Sequence, residues 1–355
     1  MDIENDRIPV TLLTGFLGAG KTTLLNKLIQ DPNSGRIAVI MNEFGDVGLD
    51  HDLIEETTEE IILMQSGCLC CTFRGDIAKT LGSLMARLKR GDLAFDRVVI
   101  ETTGIAEPGP IMHTLVVDDL IAPYYRLDGV ITVADAATGL DKLGEHTESV
   151  SQIAMADLII ITKTDLVSEE DVARFENRID SINASAPRIY SDHGYVPISR
   201  LFGLSGLRED ASSEEITQWL GKSSSLHLGT HNHHKHGKIV SGSIELWEPI
   251  PANVFDFWLD MLIALKGPDI LRMKGIVHVE GMEHPFVFHG VQHIFDLPVL
   301  LKSSKNTDTN SRVVLIARNM SKEDLQTSLD MLRMQPKDVE TAKDDVVVEP
   351  AEMPF

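Results

Sequence analysis

Residues 7–23 of the chain read RIPVTLLTGFLGAGKTT, and this stretch decides the fold. Arg7–Leu13 is an apolar run typical of a buried strand, and Gly15–Thr22 matches the phosphate-binding pattern G-x-x-x-x-G-K-[ST]. In such a loop the glycines let backbone N–H groups point at phosphates, and the next helix presents its positive N-terminus to them. We predict that helix from Lys21 to about Gln30. The stretch therefore predicts a strand, a nucleotide-binding turn and a helix in succession.

The loop also supplies the first candidate functional residues. Lys21 should neutralise the β- and γ-phosphates of a nucleoside triphosphate, and the Thr22 hydroxyl should ligate Mg²⁺. The nucleotide-contacting residues that we expect here are Gly15, Gly18, Ala19, Gly20, Lys21, Thr22 and Thr23.

Further short apolar runs alternate with helical stretches such as Ile77 to Arg90. These runs are Arg36–Met41, Ile61–Met64, Arg97–Ile100, Gly129–Val133 and Leu158–Ile161. Continuous apolar strands separated by helices are typical of a parallel sheet that is covered on both faces. We therefore predict an α/β fold, a phosphate-loop domain with a mostly parallel sheet.

A length of 355 residues suggests more than one domain. We expect the phosphate-loop domain over residues 1–205, a polar His-rich linker over 206–237, a smaller α+β domain over 238–335 and an acidic disordered tail over 336–355. A short helix is expected near Ile216–Leu220. The second domain's predicted strands are Lys238–Trp247, Gly275–Glu280, Pro285–Val291 and Arg312–Ala317, and its helices are Val254–Lys266 and Lys322–Met334.

The charge balance bears on the partners. The formal net charge is −22, from 54 acidic and 32 basic residues, which disfavours nonspecific binding to nucleic acid. The apolar runs are too short to span a bilayer, and the acidic N-terminus does not have the pattern of a signal peptide. The three cysteines do not form a disulfide framework and fit a reducing compartment. We therefore expect a cytoplasmic protein without a membrane or nucleic-acid partner.

A carboxylate and a glycine follow the apolar run at Val98–Ile100. Glu101 is predicted to end this strand, where it can hold the Mg²⁺ shell through water, and the Gly104 amide can meet the γ-phosphate. The catalytic residues that we expect are Lys21, Thr22, Glu101 and Gly104.

Base choice is indicated by the tetrapeptide Thr162-Lys163-Thr164-Asp165 after a late apolar run. The Asp165 carboxylate can accept both N–H donors of guanine, whereas adenine would leave that carboxylate unpaired. The Lys163 stem would pack over the base. This site favours GTP over ATP, with Thr162, Lys163 and Asp165 as nucleotide-binding residues.

All three cysteines lie in one short window, Cys68, Cys70 and Cys71. Thiolates at this spacing suit most of a tetrahedral zinc site. The fourth ligand that we expect is Glu43 or Asp46, in the segment where a first nucleotide switch usually lies, so hydrolysis would change metal affinity. A permanent structural zinc site and a redox thiol cluster are the alternatives.

Histidines are concentrated in the predicted linker, at His227, His231, His233, His234 and His236. Such a run can bind metals loosely, or it can be a solvated linker without a role. A non-enzymatic metal buffer built on this run is a rival to the enzyme hypothesis.

Five motifs in order resemble the CobW-type GTPases, a family of metallochaperones. They are GFLGAGKTT at Gly15–Thr23, NEFGDVGLD at Asn42–Asp50, GCLCC at Gly67–Cys71, ETTGIAEP at Glu101–Pro108 and TKTD at Thr162–Asp165. The resemblance covers roughly Ile8 to Met334 and includes a CobW-like C-terminal domain around Met273–Phe295. Thr162 stands where many GTPases have Asn, and Met41 where some relatives have Glu.

The resemblance implies slow GTP hydrolysis, with Mg²⁺ at the nucleotide and Zn²⁺, Co²⁺ or Ni²⁺ delivered to a client metalloprotein. Zinc is the metal that we expect. A regulatory GTPase with a static structural zinc and a cobalt-delivery protein for cobalamin synthesis or a metalloenzyme are the alternatives. Self-association into a homo-oligomer stays open.

Overall fold

The computed structural model describes residues 7–42, 61–63, 69–73, 77–206, 213–221, 239–291, 294–295, 298–301 and 310–336. For residues 42, 61–63, 69–73, 213–215, 218 and 294, only the backbone is described.

The first sheet contains the strands of the phosphate-loop half. They are β1 (Ile8–Thr14), β2 (Ile37–Asn42), β3 (Ile61–Leu63), β4 (Leu69–Phe73), β5 (Arg97–Glu101), β6 (Tyr125–Asp135), β7 (Leu158–Thr162) and β8 (Arg188–Tyr190). Their order is β3-β4-β2-β5-β1-β6-β7-β8. Among these described strands, neighbours are parallel except for β3 and β4. The predicted mostly parallel sheet is confirmed.

Helices cover both faces of this sheet. They are α1 (Lys21–Gln30), α2 (Ile77–Arg90), α3 (Gly109–Val117), α4 (Gly139–Glu145), α5 (Thr147–Ala154) and α6 (Glu169–Asn183). Leu13 of β1 belongs to the same buried cluster as Leu24 and Leu28 of α1. Its neighbour Leu12 belongs to a second cluster that contains Leu81 of α2. Adjacent residues of β1 thus pack on opposite faces of the sheet. Because both faces are covered, the strands are continuous apolar runs.

The C-terminal half forms an antiparallel sheet. Its strands are β9 (Ile239–Leu246), β10 (Ile270–Val277), β11 (Phe286–Val291), β12 (Ile294–Phe295), β13 (Val299–Leu300) and β14 (Ser311–Arg318). The order is β12-β11-β10-β14-β9, and β13 pairs with β11. The helices of this half are α7 (Ser213–Leu220), α8 (Ala252–Lys266) and α9 (Lys322–Asp330). The buried side chains of α8 and α9 form one core with this sheet, which confirms the predicted α+β character. Within the described residues, no helix combines the length and apolarity needed to cross a membrane.

Several strands differ from the sequence prediction: β8, β12 and β13 were not predicted, and β4 and β10 differ in ways that bear on the site and on the contact between domains. Cys70 and Cys71 lie in a strand of their own, β4, which returns antiparallel beside β3 and was not predicted. Strand β10 begins at Ile270, five residues before the predicted Gly275, and ends at Val277. The sequence prediction missed this start because β10 contains charged residues, which are rarely found in a fully buried strand.

Helix α7 lies in the segment predicted as a polar linker, where a short helix was expected. Ile216, Trp219 and Leu220 of this helix are buried and cluster with Ile276 and Val287 of the second sheet. The helix is therefore part of the C-terminal core.

The two charges of β10 bind the first domain. Arg272 donates to the Met155 carbonyl and to Asp157, and the Lys274 Nζ lies 2.9 Å from Asp157 Oδ1. All three charged side chains are almost fully buried. Lys274 also donates to the carbonyl of Trp219 and lies 4.8 Å from its ring centroid. A buried ion cluster thus joins the domains, and it explains why this strand tolerates charge.

Candidate nucleotide site

The phosphate loop occupies the turn between β1 and α1. Gly15 has φ 139°, and a Cβ at this position would lie 2.2 Å from the Val133 carbonyl oxygen. Only glycine fits there, because both the backbone angle and the close approach exclude a side chain. Helix α1 begins at Lys21, directly after Gly20, so its N-terminal amides face the loop.

Lys21 is buried under this loop. Its Nζ donates to the Gly15 carbonyl at 2.7 Å and to the Phe16 carbonyl at 3.3 Å. Burial lowers the pKa of Lys21 below its ordinary value, while the charge of Glu101 opposes that shift. The loop carbonyls therefore hold the Lys21 ammonium group within the loop, where we expect the phosphates to bind beside it.

Thr22 and Glu101 lie together at the first turn of α1. The Thr22 hydroxyl donates to Glu101 Oε1 at 2.8 Å. Glu101 is the last residue of β5, as predicted, and is buried, whereas Thr22 is exposed. A hydroxyl beside a carboxylate is an oxygen donor set that fits Mg²⁺.

The segment after β5 packs against the phosphate loop. The Thr102 amide donates to the Leu13 carbonyl, and its hydroxyl bonds to Thr14. Gly104 is buried, and a Cβ there would lie 2.6 Å from the Leu17 amide nitrogen. The structure thus brings Gly104 directly beside the loop.

The tetrapeptide after β7 approaches the loop from the other side. The Thr162 hydroxyl donates to the Ala19 carbonyl at 2.8 Å, and the Lys163 Nζ donates to the Gly18 carbonyl at 2.7 Å. Asp165 lies in the short 3₁₀ helix Thr164–Leu166 with its side chain exposed. The carboxylate is thus accessible, and Thr162 bonds the loop where an Asn would have been expected.

Sequence reasoning missed Asp135, the last residue of β6. Its Oδ2 accepts from the Lys163 Nζ at 2.8 Å and from the Thr138 hydroxyl at 2.9 Å, and its Oδ1 accepts from the Ala137 amide. Burial raises the pKa of Asp135, but these hydrogen bonds and the Lys163 charge outweigh burial and leave the pKa below its ordinary value. The sequence did contain a signal, because Asp135 ends an apolar run just as Glu101 does.

Gln152 was missed as well. This buried residue of α5 donates through Nε2 to the carbonyls of Gly104, at 3.2 Å, and Ala106, at 3.0 Å. No local motif marks it, since it lies far along the chain from the segment that it binds.

The predicted metal ligands are only partly described. Cys70 and Cys71 lie in β4, where Cys71 pairs with Ile40 of β2. Cys68, Glu43, Asp46 and the histidines of residues 227–236 lie outside the described residues. In the described part of the chain, no group of three or more His, Cys, Asp or Glu residues is arranged to hold a metal ion. The cysteine site therefore stays a prediction.

Two protein-family models match this chain. A family model described as the CobW/HypB/UreG nucleotide-binding domain matches residues 9–190. The chain belongs to this family. A second model, the cobalamin synthesis protein cobW C-terminal domain, matches residues 239–333.

Relatives of this CobW-family chain are similar over most of their length. The chain is 35% identical over 290 residues to the zinc chaperone YjiA of Escherichia coli, which covers 81% of this chain and 87% of that protein. It is 32% identical over 352 residues to the zinc-regulated GTPase metalloprotein activator 1 of Schizosaccharomyces pombe, covering 90% of this chain and 84% of the relative. The crystal structure of Zn(II)-bound YjiA GTPase from E. coli matches with a TM-score of 0.74 and 32% identity, over 92% of this chain and 99% of that one. Both domains and their arrangement are thus those of a CobW-type protein.

Proposed function

We propose that this CobW-family protein is a cytoplasmic GTPase that binds zinc through Cys68, Cys70 and Cys71 and transfers it to a client metalloprotein. The names of its relatives support this, since one is called a zinc chaperone and another a zinc-regulated GTPase metalloprotein activator. The observation that carries the GTPase part of the proposal is the Thr22–Glu101 hydrogen bond of 2.8 Å beside the buried Lys21 ammonium.

The phosphate end of the site supports hydrolysis of GTP. The Lys21 ammonium stabilises negative charge on the β- and γ-phosphates, and the Gly104 amide donates to the γ-phosphate. The Thr22 hydroxyl would ligate Mg²⁺ and Glu101 would hold the water shell of the ion, which would neutralise phosphate charge. Water attacks the γ-phosphorus in line, the bond to the β–γ bridging oxygen breaks, and GDP and phosphate leave. We expect slow intrinsic turnover that zinc or a client accelerates.

The base end selects guanine. The exposed Asp165 carboxylate accepts hydrogen bonds from the N1–H and N2–H groups of the base, and the Lys163 stem, held by Gly18 and Asp135, covers the face of the base. ATP binds worse because adenine leaves the Asp165 carboxylate without those donors.

The strand register supports a link between the nucleotide and the metal. Thr72, the residue after Cys71, pairs with Met41 of β2, and Met41 pairs with Glu101 of β5. Two strand spacings of about 4.8 Å put Thr72 about 10 Å from Glu101 along the sheet. A fourth ligand from Glu43 or Asp46, in the segment that follows β2, would let nucleotide state change metal affinity. Co²⁺ and Ni²⁺ are alternative cargoes for the same thiolates.

The test is metal affinity measured in both nucleotide states. Zinc, cobalt and nickel are titrated into protein loaded with GDP or with a non-hydrolysable GTP analogue, and the GTPase rate is measured with and without stoichiometric zinc. We expect Cys70→Ala to abolish tight zinc binding and to leave nucleotide affinity unchanged, whereas Thr72→Ala on the same strand leaves both unchanged.

Equal zinc affinity in the two nucleotide states, together with equal GTPase rates, would favour a static structural zinc and contradict transfer driven by hydrolysis. Loss of most bound metal on deletion of residues 227–236, with no effect of Lys21→Ala, would instead support the metal-buffer hypothesis.

A further inference from the structure

The segment that carries Gly104 has few restraints of its own. Residues 102–108 connect β5 to α3 without helix or strand. The bonds of Thr102 fix its first residue, and the Ala106 amide donates to the Thr103 carbonyl. Because glycine lacks a Cβ, Gly104 itself can rotate more freely than any other residue. A contact from outside the segment is therefore needed to fix the direction of the Gly104 amide.

Gln152 supplies that contact. Its side-chain amide carries two N–H donors, and the two acceptors at Nε2 are the carbonyls of Gly104 and Ala106. The side chain is 1% exposed, so water competes little for these hydrogen bonds. Gly104 also packs closely against the phosphate loop, since a Cβ on it would lie 2.6 Å from the Leu17 amide nitrogen.

The helix that carries Gln152 is itself firmly held. Asn183 at the end of α6 donates to the carbonyls of Ile153, Ala154 and Ala156 at 2.9, 3.2 and 3.1 Å. Arg272 of the second domain donates to the Met155 carbonyl just beyond the helix. Gln152 therefore projects from a fixed support toward the Gly104 segment.

We infer that Gln152 is a positioning residue for recognition of the γ-phosphate. It holds Gly104 against the phosphate loop so that the Gly104 amide is already directed at the γ-phosphate before nucleotide binds. The inference rests on the proposed GTPase function. Gln152 must therefore affect the affinity for GTP and not the affinity for GDP, because only the γ-phosphate of GTP reaches Gly104.

Gln152→Met tests this, since it removes both donors and nearly preserves the volume of the side chain. We expect the dissociation constant of a non-hydrolysable GTP analogue to rise about 10-fold, because the Gly104 segment must then be ordered during binding, with GDP affinity unchanged. The GTPase kcat should fall in parallel. Both affinities are measured by titration calorimetry in Mg²⁺ on the full chain.

Gln326→Met is the matched control. It makes the same side-chain change in α9, where the Gln326 Nε2 donates to Asp330 Oδ1 at 3.0 Å, and it does not touch α5 or the Gly104 segment. We expect it to leave the affinities for the GTP analogue and for GDP unchanged.

Three results separate the hypotheses. Equal weakening of both nucleotides by Gln152→Met would make Gln152 a merely structural residue and overturn the inference. Tighter binding of the GTP analogue would overturn it too, because the residue would then restrain the segment in an incompetent arrangement. Failure of the unmodified protein to bind either nucleotide would contradict the proposed function itself.

Gln152→Glu serves if Gln152→Met does not fold. A buried carboxyl facing two carbonyl oxygens has its pKa raised, and its protonated form donates one hydrogen bond. The preference for the GTP analogue should therefore recover in part as the pH is lowered from about 8 to about 6, because protonation restores a donor. A preference that does not change with pH would count against positioning by hydrogen bonds.

Discussion

Buried carboxylates have different roles at the two edges of the first sheet, which we call the carboxyl edge, where its parallel strands end, and the amino edge, where they begin. At the carboxyl ends of the strands, Glu101 and Asp135 accept hydrogen bonds from Thr22 and Lys163, which border the phosphate loop. At the amino ends, Asp157 precedes β7 and is paired with Arg272 and with a lysine of the second domain. Ligands of parallel sheets bind at the carboxyl ends, so charge at that edge is available for chemistry.

The difference shows how the fold separates activity from assembly. Asp157 is enclosed by two cations and by the Val130 amide, which donates to its Oδ2 at 3.0 Å. Its oxygens are already satisfied, so it stabilises the contact between domains. Lys21, in contrast, is held by the neutral carbonyls of Gly15 and Phe16.

The largest effect is expected at the amino edge. Asp157→Asn leaves Arg272 and Lys274 buried without their counter-charge, which should cost about 3–5 kcal/mol of unfolding free energy. Urea unfolding measures this, with nucleotide affinity of the folded protein expected to stay unchanged. The triple variant Asp157→Leu, Arg272→Met, Lys274→Met should recover most of the lost stability, because no unpaired charge remains. A loss below about 1 kcal/mol for Asp157→Asn would mean that the cluster does not hold the domains together.

The next largest effect is expected at the carboxyl edge. Lys21→Ala should weaken GTP and GDP by about 100-fold, near 3 kcal/mol, because the phosphates lose a buried cation. Stability without nucleotide should not fall, since burial of the ammonium is unfavourable, as its lowered pKa shows. Lys27→Ala, an exposed lysine on the same helix, is the control and should bind nucleotide normally. Retention of GTP affinity by Lys21→Ala would remove the phosphate-loop assignment.

Acid should weaken the amino edge in a predictable window. Burial raises the pKa of Asp157, but Arg272, Lys274 and His289 outweigh burial and lower it to about 2. A carboxyl whose folded-state pKa lies below its unfolded value of about 3.9 stabilises the fold above that pH and loses this contribution as the pH falls toward about 2. The contribution is about 2.6 kcal/mol. The difference in unfolding free energy between the unmodified protein and Asp157→Asn should therefore shrink by about this amount between about pH 5 and pH 2; a constant difference would contradict the shift.

Much of the fold could be predicted because its strands are short apolar runs bounded by turns. Strand β10 was predicted only in part, because Asp157, the counter-charge of its buried Arg272 and Lys274, lies in the other domain. Within the site, the loop and Glu101 are marked by local patterns. Gln152 is not marked, because its role depends on which face of α5 meets the Gly104 segment, and that is decided by packing between distant parts of the chain.

The smallest effect, and the sharpest contrast between the two ends of the site, is expected for Asp135→Asn. The change removes the ion pair that holds Lys163 against the Gly18 carbonyl, so the wall of the base pocket should loosen. GTP and GDP should both weaken, by about 5-fold, whereas Gln152→Met should weaken GTP alone. The preference of Asp135→Asn for GTP over ATP should fall as well, and competition binding between the two nucleotides measures that preference. Asp128→Asn, a buried carboxylate of the same strand that faces Arg97 and Arg126, is the matched control and should leave base preference intact. If Asp135→Asn discriminated between GTP and GDP, its role would lie at the phosphates, and the separation of base and phosphate ends would be wrong.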